Sequence, residues 1–165
     1  MTYPNVLVMG YLKATGQLTP EAAMKLKHAI HLGYQRLLTF ETPEGGFDWY
    51  GRPPGKTILT AYGLLEITAM SEVHDVDPAW IARIAKWLLS QQMSDGRFPA
   101  EGCPHSWRGT EGSSLAATAY VTWALQEAGY RDPASASIAW LRQHAEDARD
   151  PRDLALLANA LVAWN

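Results

Sequence analysis

The residues best suited to chemistry lie together in one glycine-rich segment, residues 95–113. It contains the only cysteine, Cys103, two positions before His105 and followed by Trp107 and Arg108. One interpretation is a thiolate nucleophile with an imidazole base, because deprotonated cysteine attacks acyl carbons. A Cys-x-His metal site is a second, although zinc needs further ligands and none stands at a suitable spacing. A surface loop held by aromatic packing is the third, and composition alone favours it.

Two histidines form another candidate site. His28 and His31 are three residues apart, so a helix would place both on one face, where they could bind a metal with a third ligand. Lys25 and Lys27 stand beside them and would repel a cation. The pattern therefore favours the solvated outer face of a helix, and we predict neither a metal nor a cofactor for this chain.

Four aromatic residues near predicted loop–helix junctions are candidates for a pocket. Trp49, Tyr50, Phe98 and Trp107 could line a cavity at one rim of the fold. Packing against neighbouring helices is the alternative, and the sequence does not separate the two. The sequence contains no P-loop, no dinucleotide-binding glycine motif and no G-x-S-x-G motif.

Composition limits the function classes further. The 165 residues have room for one domain, and a formal charge of −3 leaves no basic surface for nucleic acid or an anionic membrane. No unbroken apolar stretch is long enough to span a bilayer. A single cysteine excludes an intrachain disulfide and a multi-cysteine zinc site. We therefore expect a globular domain without nucleic-acid or direct membrane contact.

The elements that must position these side chains are predicted to be helices. A threonine or aspartate that precedes proline caps free N–H groups, and proline fits the first helical turn. Such pairs occur at Thr19-Pro20, Asp77-Pro78, Asp132-Pro133 and Asp150-Pro151. Together with the apolar runs between them, these pairs predict seven helices, over 6–14, 20–39, 57–70, 78–92, 114–128, 133–146 and 152–164. For the first of these, the residues from Val6 to Met9 alone would also fit a strand.

Helices of two kinds alternate along the chain. Segments 57–70 and 114–128 are apolar almost all round, and so is the stretch from Leu154 to Trp164, broken only by Asn159, which predicts burial on every side. Segments 20–39 and 78–92 are amphipathic, which predicts helices that cover a surface. The alternation predicts an all-α fold of two concentric layers, an α/α toroid. About seven helices are too few to close the ring, so we expect a partial ring with exposed apolar edges that could self-associate.

A weak internal repeat supports this pairing of layers. Thr60-Ala61-Tyr62 recurs as Thr118-Ala119-Tyr120, each time within an apolar helix. Each copy follows a loop with glycine and phenylalanine. These loops contain Gly45-Gly46-Phe47 before the first helix and Asp95-Gly96-Arg97-Phe98 before the second.

Several short motifs occur in a characteristic order over nearly the whole chain. They are Tyr3-Pro4-Asn5, Gln17-Leu18-Thr19-Pro20-Glu21, Gly33-Tyr34-Gln35-Arg36-Leu37, Gly46-Phe47, Thr60-Ala61-Tyr62-Gly63-Leu64-Leu65-Glu66, Asp95-Gly96-Arg97-Phe98 and Thr118-Ala119-Tyr120. Together they resemble the thioester-containing domain of the alpha-2-macroglobulin and complement family, especially its bacterial members. The resemblance implies an α/α toroid and a module that is not an enzyme. In that family a Cys-x-Glu-Gln motif forms an internal thioester through which proteases are trapped covalently.

This chain departs from the family pattern at the reactive centre. No Cys-x-Glu-Gln occurs in the sequence, and Cys103 is followed by Pro104-His105-Ser106. In the family the motif precedes the segment that resembles Tyr3-Pro4-Asn5, which would place it upstream of Met1. We therefore expect residues 1–165 to be a single partial domain of a larger endopeptidase inhibitor, inert as it stands. Its partners would be proteases and other domains of the same parent, in the periplasm or outside the cell.

The resemblance also implies a role for His105. Many members carry a histidine in the corresponding loop, where it attacks the thioester to give an acyl-imidazole, and the freed thiolate then assists hydroxyl nucleophiles. His105 would act in this way only in the intact protein. Two other functions stay open: an enzyme of the terpenoid cyclase or prenyltransferase type, which also uses an α/α toroid, and a helical scaffold that binds partner domains.

Overall fold

The computed structural model describes residues 2–100 and 114–164, and its regular structure over these ranges is helical. The helices are α1 (Tyr3–Ala14), α2 (Pro20–Leu38), α3 (Thr57–Ser71), α4 (Pro78–Ser90), α5 (Ser114–Glu127), α6 (Arg131–Gln143) and α7 (Pro151–Trp164). A short 3₁₀ turn, Ala145–Asp147, connects the last two. The all-α prediction is confirmed, with helix bounds close to those expected. No described helix is both long enough and apolar enough to cross a membrane.

The helices form two layers in the predicted order. Each of α1, α3, α5 and α7 packs against the next, and these four make up an inner row. Helix α2 packs against α1 and α3, α4 against α3, and α6 against α5 and α7, so these three form the outer layer. Alternate inner and outer helices are the arrangement of an α/α toroid, as predicted.

Three of the four predicted caps are present. The side chain of Thr19 accepts the Ala22 N–H at 3.2 Å, and that of Asp77 accepts the Ala79 N–H at 2.9 Å. Asp150 likewise accepts an N–H at the start of α7, at 2.8 Å. Each cap satisfies a donor that the first helical turn leaves without a backbone partner.

The fourth predicted cap, at Asp132, is wrong. Helix α6 begins one residue earlier, at Arg131, and Tyr130 at its N-cap makes no side-chain capping bond. Gly129 takes a left-handed conformation with φ +87°, which lets the chain turn from α5 directly into α6. Pro133 stays within the first turn, where its missing N–H is not needed, and so the earlier start is allowed.

The two helices at the ends of the inner row are less buried than predicted. Helices α3 and α5 are enclosed by neighbours, whereas α7 leaves Leu154 49% and Val162 73% exposed. On α1 the same holds for Leu7, 53% exposed, and Tyr11, 64% exposed. Within the described chain each end helix has an inner-row neighbour on one side only. Burial of the stretch from Leu154 to Trp164 on every side is therefore not observed.

The inner helices α1 and α3 begin on the same side of the molecule along the helix axes, and we call this side the loop end. The rings of Tyr3 and Tyr62, near the starts of α1 and α3, are 6.3 Å apart. Burial raises the pKa of Tyr120, midway along α5, and the nearby phenols of Tyr62 and Tyr3 raise it further. At the opposite end Lys13 Nζ donates to the Glu72 carbonyl at 3.1 Å. Helices α1 and α3 therefore run parallel.

Candidate functional site

The first of the two repeated loops closes a tight turn at the loop end. The Thr42 N–H donates to the Gly46 carbonyl at 2.7 Å, and the Gly45 N–H donates to the Thr42 carbonyl at 2.9 Å. Gly45 has φ +97°, a conformation that side chains disfavour. The turn is followed by Phe47, which is buried with 2% of its surface exposed. The Phe47 N–H donates to the Thr60 hydroxyl on α3 at 2.8 Å.

The second loop has the same geometry. Met93 and Gly96 take the places of Thr42 and Gly45: the Met93 N–H donates to the Arg97 carbonyl and the Gly96 N–H to the Met93 carbonyl, both at 2.9 Å. Phe98 follows, fully buried, and its N–H donates to the Thr118 hydroxyl on α5 at 3.0 Å. The sequence repeat therefore corresponds to a structural repeat, in which a buried threonine holds the phenylalanine of the preceding loop.

A cavity of about 460 Å³ opens beside the first of these loops. It lies between the start of α1, the end of α2 and the first turns of α3. Its walls are largely apolar and aromatic, and besides two tyrosines they include two charged side chains, Glu66 and Arg36. The aromatic residues around it are Tyr3, Phe40, Phe47, Trp49 and Tyr62. We call it the Glu66 cavity.

Glu66 is the unusual member of this lining, because its side chain is ionisable and only 4% exposed. Burial raises the pKa of its carboxyl, and the positive charge of the chain's amino terminus and a hydrogen bond from the Tyr3 N–H partly offset that rise. Burial and the nearby negative charge of Glu66 in turn raise the pKa of both the Tyr3 and the Tyr62 phenols. The charge of Glu66 thus influences the ionisation of both phenols at the loop end.

Two glycines allow the cavity walls to come together. A Cβ atom at Gly33 would collide with the side chain of Thr2, so the start of α1 rests directly on α2. A Cβ atom at Gly63 would collide with the Phe47 ring in the same way. Both positions therefore require glycine for packing rather than for an unusual backbone conformation.

The residues predicted from the loop 95–113 fall mostly outside the described chain. Cys103, His105 and Trp107 lie there, so the structure does not test their roles. On one side of the undescribed segment the chain is described up to residue 100, shortly after Phe98. On the other side it resumes at Ser114, the first residue of α5.

The predicted aromatic pocket is right in part. Trp49 lines the Glu66 cavity, while Tyr50 is 82% exposed and Phe98 is fully buried in the core. Neither of these two contributes to the cavity.

The histidine pair lies far from the loop end. His28 and His31 are exposed on α2, as predicted, and the His31 ring meets the His74 ring edge to face at 5.7 Å. These residues border an open depression together with Asp75. Across residues 2–100 and 114–164 no three histidine, cysteine or acidic side chains are placed to hold a metal ion.

Glu66 was not identified from the sequence as a site residue. A signal was nevertheless present, since it is the only charged residue between Thr57 and Ser71, a stretch predicted to be buried on every side. A carboxylate is almost never fully buried unless it is paired with another group. A single charged residue within an otherwise uncharged helix that is predicted to be buried is therefore the pattern that indicates Glu66 as a candidate site residue.

Comparison with known proteins identifies the family. The family described as the A-macroglobulin TED domain matches residues 1–165. Thioester-containing protein 1 allele R1 of Anopheles gambiae is 32% identical over 127 residues, which are 75% of this chain and 10% of that protein. Ovostatin of Gallus gallus is 31% identical over 131 residues, 77% of this chain and 9% of ovostatin. The chain thus spans about a tenth of the length of these relatives. It belongs to the A-macroglobulin TED domain family.

Proposed function

We propose that this chain is the thioester-domain portion of a larger alpha-2-macroglobulin-type endopeptidase inhibitor, and that it is chemically inert by itself. The family match over residues 1–165 carries the proposal, together with the absence of Cys-x-Glu-Gln from the sequence. The names of the two relatives refer to a thioester-containing protein and to ovostatin. The same match favours this function over a toroid enzyme of the terpenoid cyclase type.

The chemistry proposed for the parent is acyl transfer from a stored thioester. A nucleophile on the target attacks the carbonyl of the thioester, its new bond to carbon replaces the carbon–sulfur bond, and the cysteine leaves as a thiolate. Exclusion of water protects such a bond until activation. The motif would precede Thr2 and Tyr3, which line the Glu66 cavity beside α2 and α3, and this packing supports a fixed attachment point for it.

Incorporation of methylamine tests this proposal. The 165-residue chain should take up no methylamine, because it has no acyl donor. A longer chain that extends upstream through Cys-x-Glu-Gln should take up one equivalent and release one thiol, measured by mass spectrometry and thiol titration. Absence of uptake by the longer, folded chain would overturn the thioester function, whatever the behaviour of the shorter one.

For His105 we propose the acyl-imidazole role in the intact protein. Its imidazole nitrogen would take the acyl group from sulfur, and a hydroxyl nucleophile would then take it from nitrogen, with the thiolate accepting the hydroxyl proton. Replacement of His105 by alanine should abolish transfer to glycerol and leave transfer to a primary amine. Equal glycerol esterification with and without His105 would contradict the role.

The parent's surroundings are proposed on the same basis. We propose a bacterial-type protein of the periplasm or the extracellular space, with proteases and other domains of the same chain as partners; the sequence motifs suggest the bacterial type, while the relatives given above come from an insect and a bird. The exposed apolar residues of α1 and α7, such as Tyr11 and Val162, support contact with those domains or with a second copy. Sedimentation of the 165-residue chain distinguishes a monomer from a self-associated form.

A further inference from the structure

We propose that the Glu66 cavity binds a primary ammonium group carried on a short apolar or aromatic body. The proposal goes beyond the thioester function, because it concerns only residues of this chain and needs no acyl donor. Two independent features support it: a buried carboxylate in the cavity lining and a set of aromatic rings around the same space.

The carboxylate supplies the charge that a cation would meet. Glu66 is 4% exposed, and the hydrogen bond identified for it comes from the Tyr3 N–H. A carboxylate has about four acceptor positions, so it can accept further donors. Among residues 2–100 and 114–164 no lysine, arginine or histidine forms a salt bridge with it, and the positive charge that acts on it is that of the chain's amino terminus. An ammonium group offers three donors and the opposite charge, and both count for more at low dielectric than in water.

The walls suit the rest of such a ligand. Tyr3, Tyr62, Phe40 and Trp49 present rings to the cavity, and aromatic faces attract cations as well as apolar groups. The volume of about 460 Å³ lies within the range of small-molecule sites, which is about 300–1,000 Å³. Trp49 is 57% exposed at the rim, so a ligand has a route inward past it.

Arg36 also lines the cavity and would favour an anion, but its position makes it the weaker charge. Its guanidinium lies over the Phe40 ring, 5.9 Å from the ring centroid, and the residue is exposed to solvent. Water and salt screen an exposed charge, whereas a buried one acts through a medium of lower dielectric. Glu66 therefore determines the charge of the preferred ligand, which is positive.

Three ligands of similar shape test the charge preference. Benzylammonium, benzyl alcohol and phenylacetate are titrated into the 165-residue chain at one pH, with binding followed by NMR chemical shifts and calorimetry. The amino terminus is acetylated, because a free α-amino group next to Thr2 would compete. We expect benzylammonium to bind about tenfold more tightly than benzyl alcohol, as a charge-assisted hydrogen bond implies. Equal affinity for the two, or a preference for phenylacetate, would overturn the proposal.

Matched variants locate the site. Glu66→Gln should weaken benzylammonium binding about tenfold, whereas Glu72→Gln removes the same charge from an exposed position at the end of α3 and should have no effect. Trp49→Ala should weaken it about threefold through the lost cation–π contact, and Tyr50→Ala should not, since Tyr50 lies outside the cavity. Unchanged binding to folded Glu66→Gln contradicts the proposal. If that variant does not fold, equal binding by the Trp49 and Tyr50 variants contradicts it instead.

A further pair of ligands distinguishes the source of the ammonium group. Nα-acetyl-lysine methylamide presents it as a protein side chain would, and n-pentylammonium presents it as a free amine. Comparable affinities would support a lysine side chain of another protein as the occupant, while preference for pentylammonium would support a small amine. Failure of both to shift resonances of the cavity residues would overturn the site.

Discussion

The two repeated loop–helix units have the same frame but different interiors. In each, a tight turn with a left-handed glycine delivers a buried phenylalanine, and that residue's N–H donates to a threonine on the following helix. Past this threonine, the first unit has Gly63 and Glu66 where the second has Val121 and Ala124. Both Val121 and Ala124 are fully buried. The second unit fills its interior with apolar side chains, whereas the first leaves a cavity with a carboxylate.

The units also differ in the length of chain between the phenylalanine and the threonine. The separation is 13 residues in the first unit and 20 in the second, a difference of seven. The longer connection contains Cys103 and His105. The shared turn, phenylalanine and threonine therefore act as a scaffold, and the candidate chemistry lies in the parts that differ.

Removal of the phenylalanine rings should give the largest effect. Phe98→Ala and Phe47→Ala should each lower the free energy of unfolding by about 3–5 kcal/mol, because each leaves a hole in the core. Phe47 borders the existing cavity and so has fewer atoms around it, which places it at the lower end. Urea denaturation measures both, with Tyr50→Ala as a near-neutral control. A larger loss for Phe47 than for Phe98 would contradict the difference in packing.

Much of this scaffold could be predicted from the sequence, because its determinants are local. Caps such as Thr19 and Asp77 act on N–H groups two or three residues away, and apolar periodicity follows from the helix itself. The prediction of a cap at Asp132 is wrong because Gly129, with its left-handed backbone, allows the chain to turn earlier, and this competing signal is also local. The repeat was visible because both copies place glycine, phenylalanine and threonine in the same order.

The cavity was harder to predict, because it depends on contacts between residues that are distant in sequence. Gly33 matters only because Thr2 lies against it, and Gly63 only because Phe47 does. The exposure of α1 and α7 likewise depends on which helices lie beside them, while an apolar sequence indicates only that a partner would be favourable. Trp49 and Tyr50 are neighbours of similar type, and only the folded turn places one of them in the cavity.

Loss of the shared threonine hydroxyl should give a smaller effect in both units, somewhat larger for Thr60, whose hydroxyl also donates to the Lys56 carbonyl at 2.7 Å. Thr60→Val leaves the buried Phe47 N–H without its acceptor, and Thr118→Val does the same to that of Phe98. Each should lower the free energy of unfolding by about 1–3 kcal/mol. Thr122→Val is the matched control, because within the described residues the buried Thr122 hydroxyl has no hydrogen-bond partner. Thermal and urea denaturation should show that variant to be as stable as the parent or more so. Equal losses for all three would contradict a specific role for the hydrogen bonds.

Glu66 offers the finest test of the difference between the units, since Ala124 holds its place in the second. Folding raises the pKa of Glu66 above its ordinary 4.5, so the folded chain binds this proton more tightly than the unfolded one. The stability that the protonated form contributes is present below pH 4.5 and is lost as pH rises through the higher folded pKa. Tyr3 and Tyr62 have raised pKa values and stay protonated over this range, so they do not obscure the trend.

Glu66→Gln keeps an acceptor for the Tyr3 N–H but carries no charge at any pH. In chains with acetylated amino termini, the free energy of unfolding of Glu66→Gln relative to the parent should therefore increase between pH 4 and pH 8. Glu72→Gln, at an exposed position, should give a flat difference over the same range. If the free energy of unfolding of Glu66→Gln relative to the parent fell with pH instead, the prediction would be wrong. The hydrogen bond to the carboxylate would then outweigh its desolvation, and the fold of the first unit would stabilise the ionised form of Glu66.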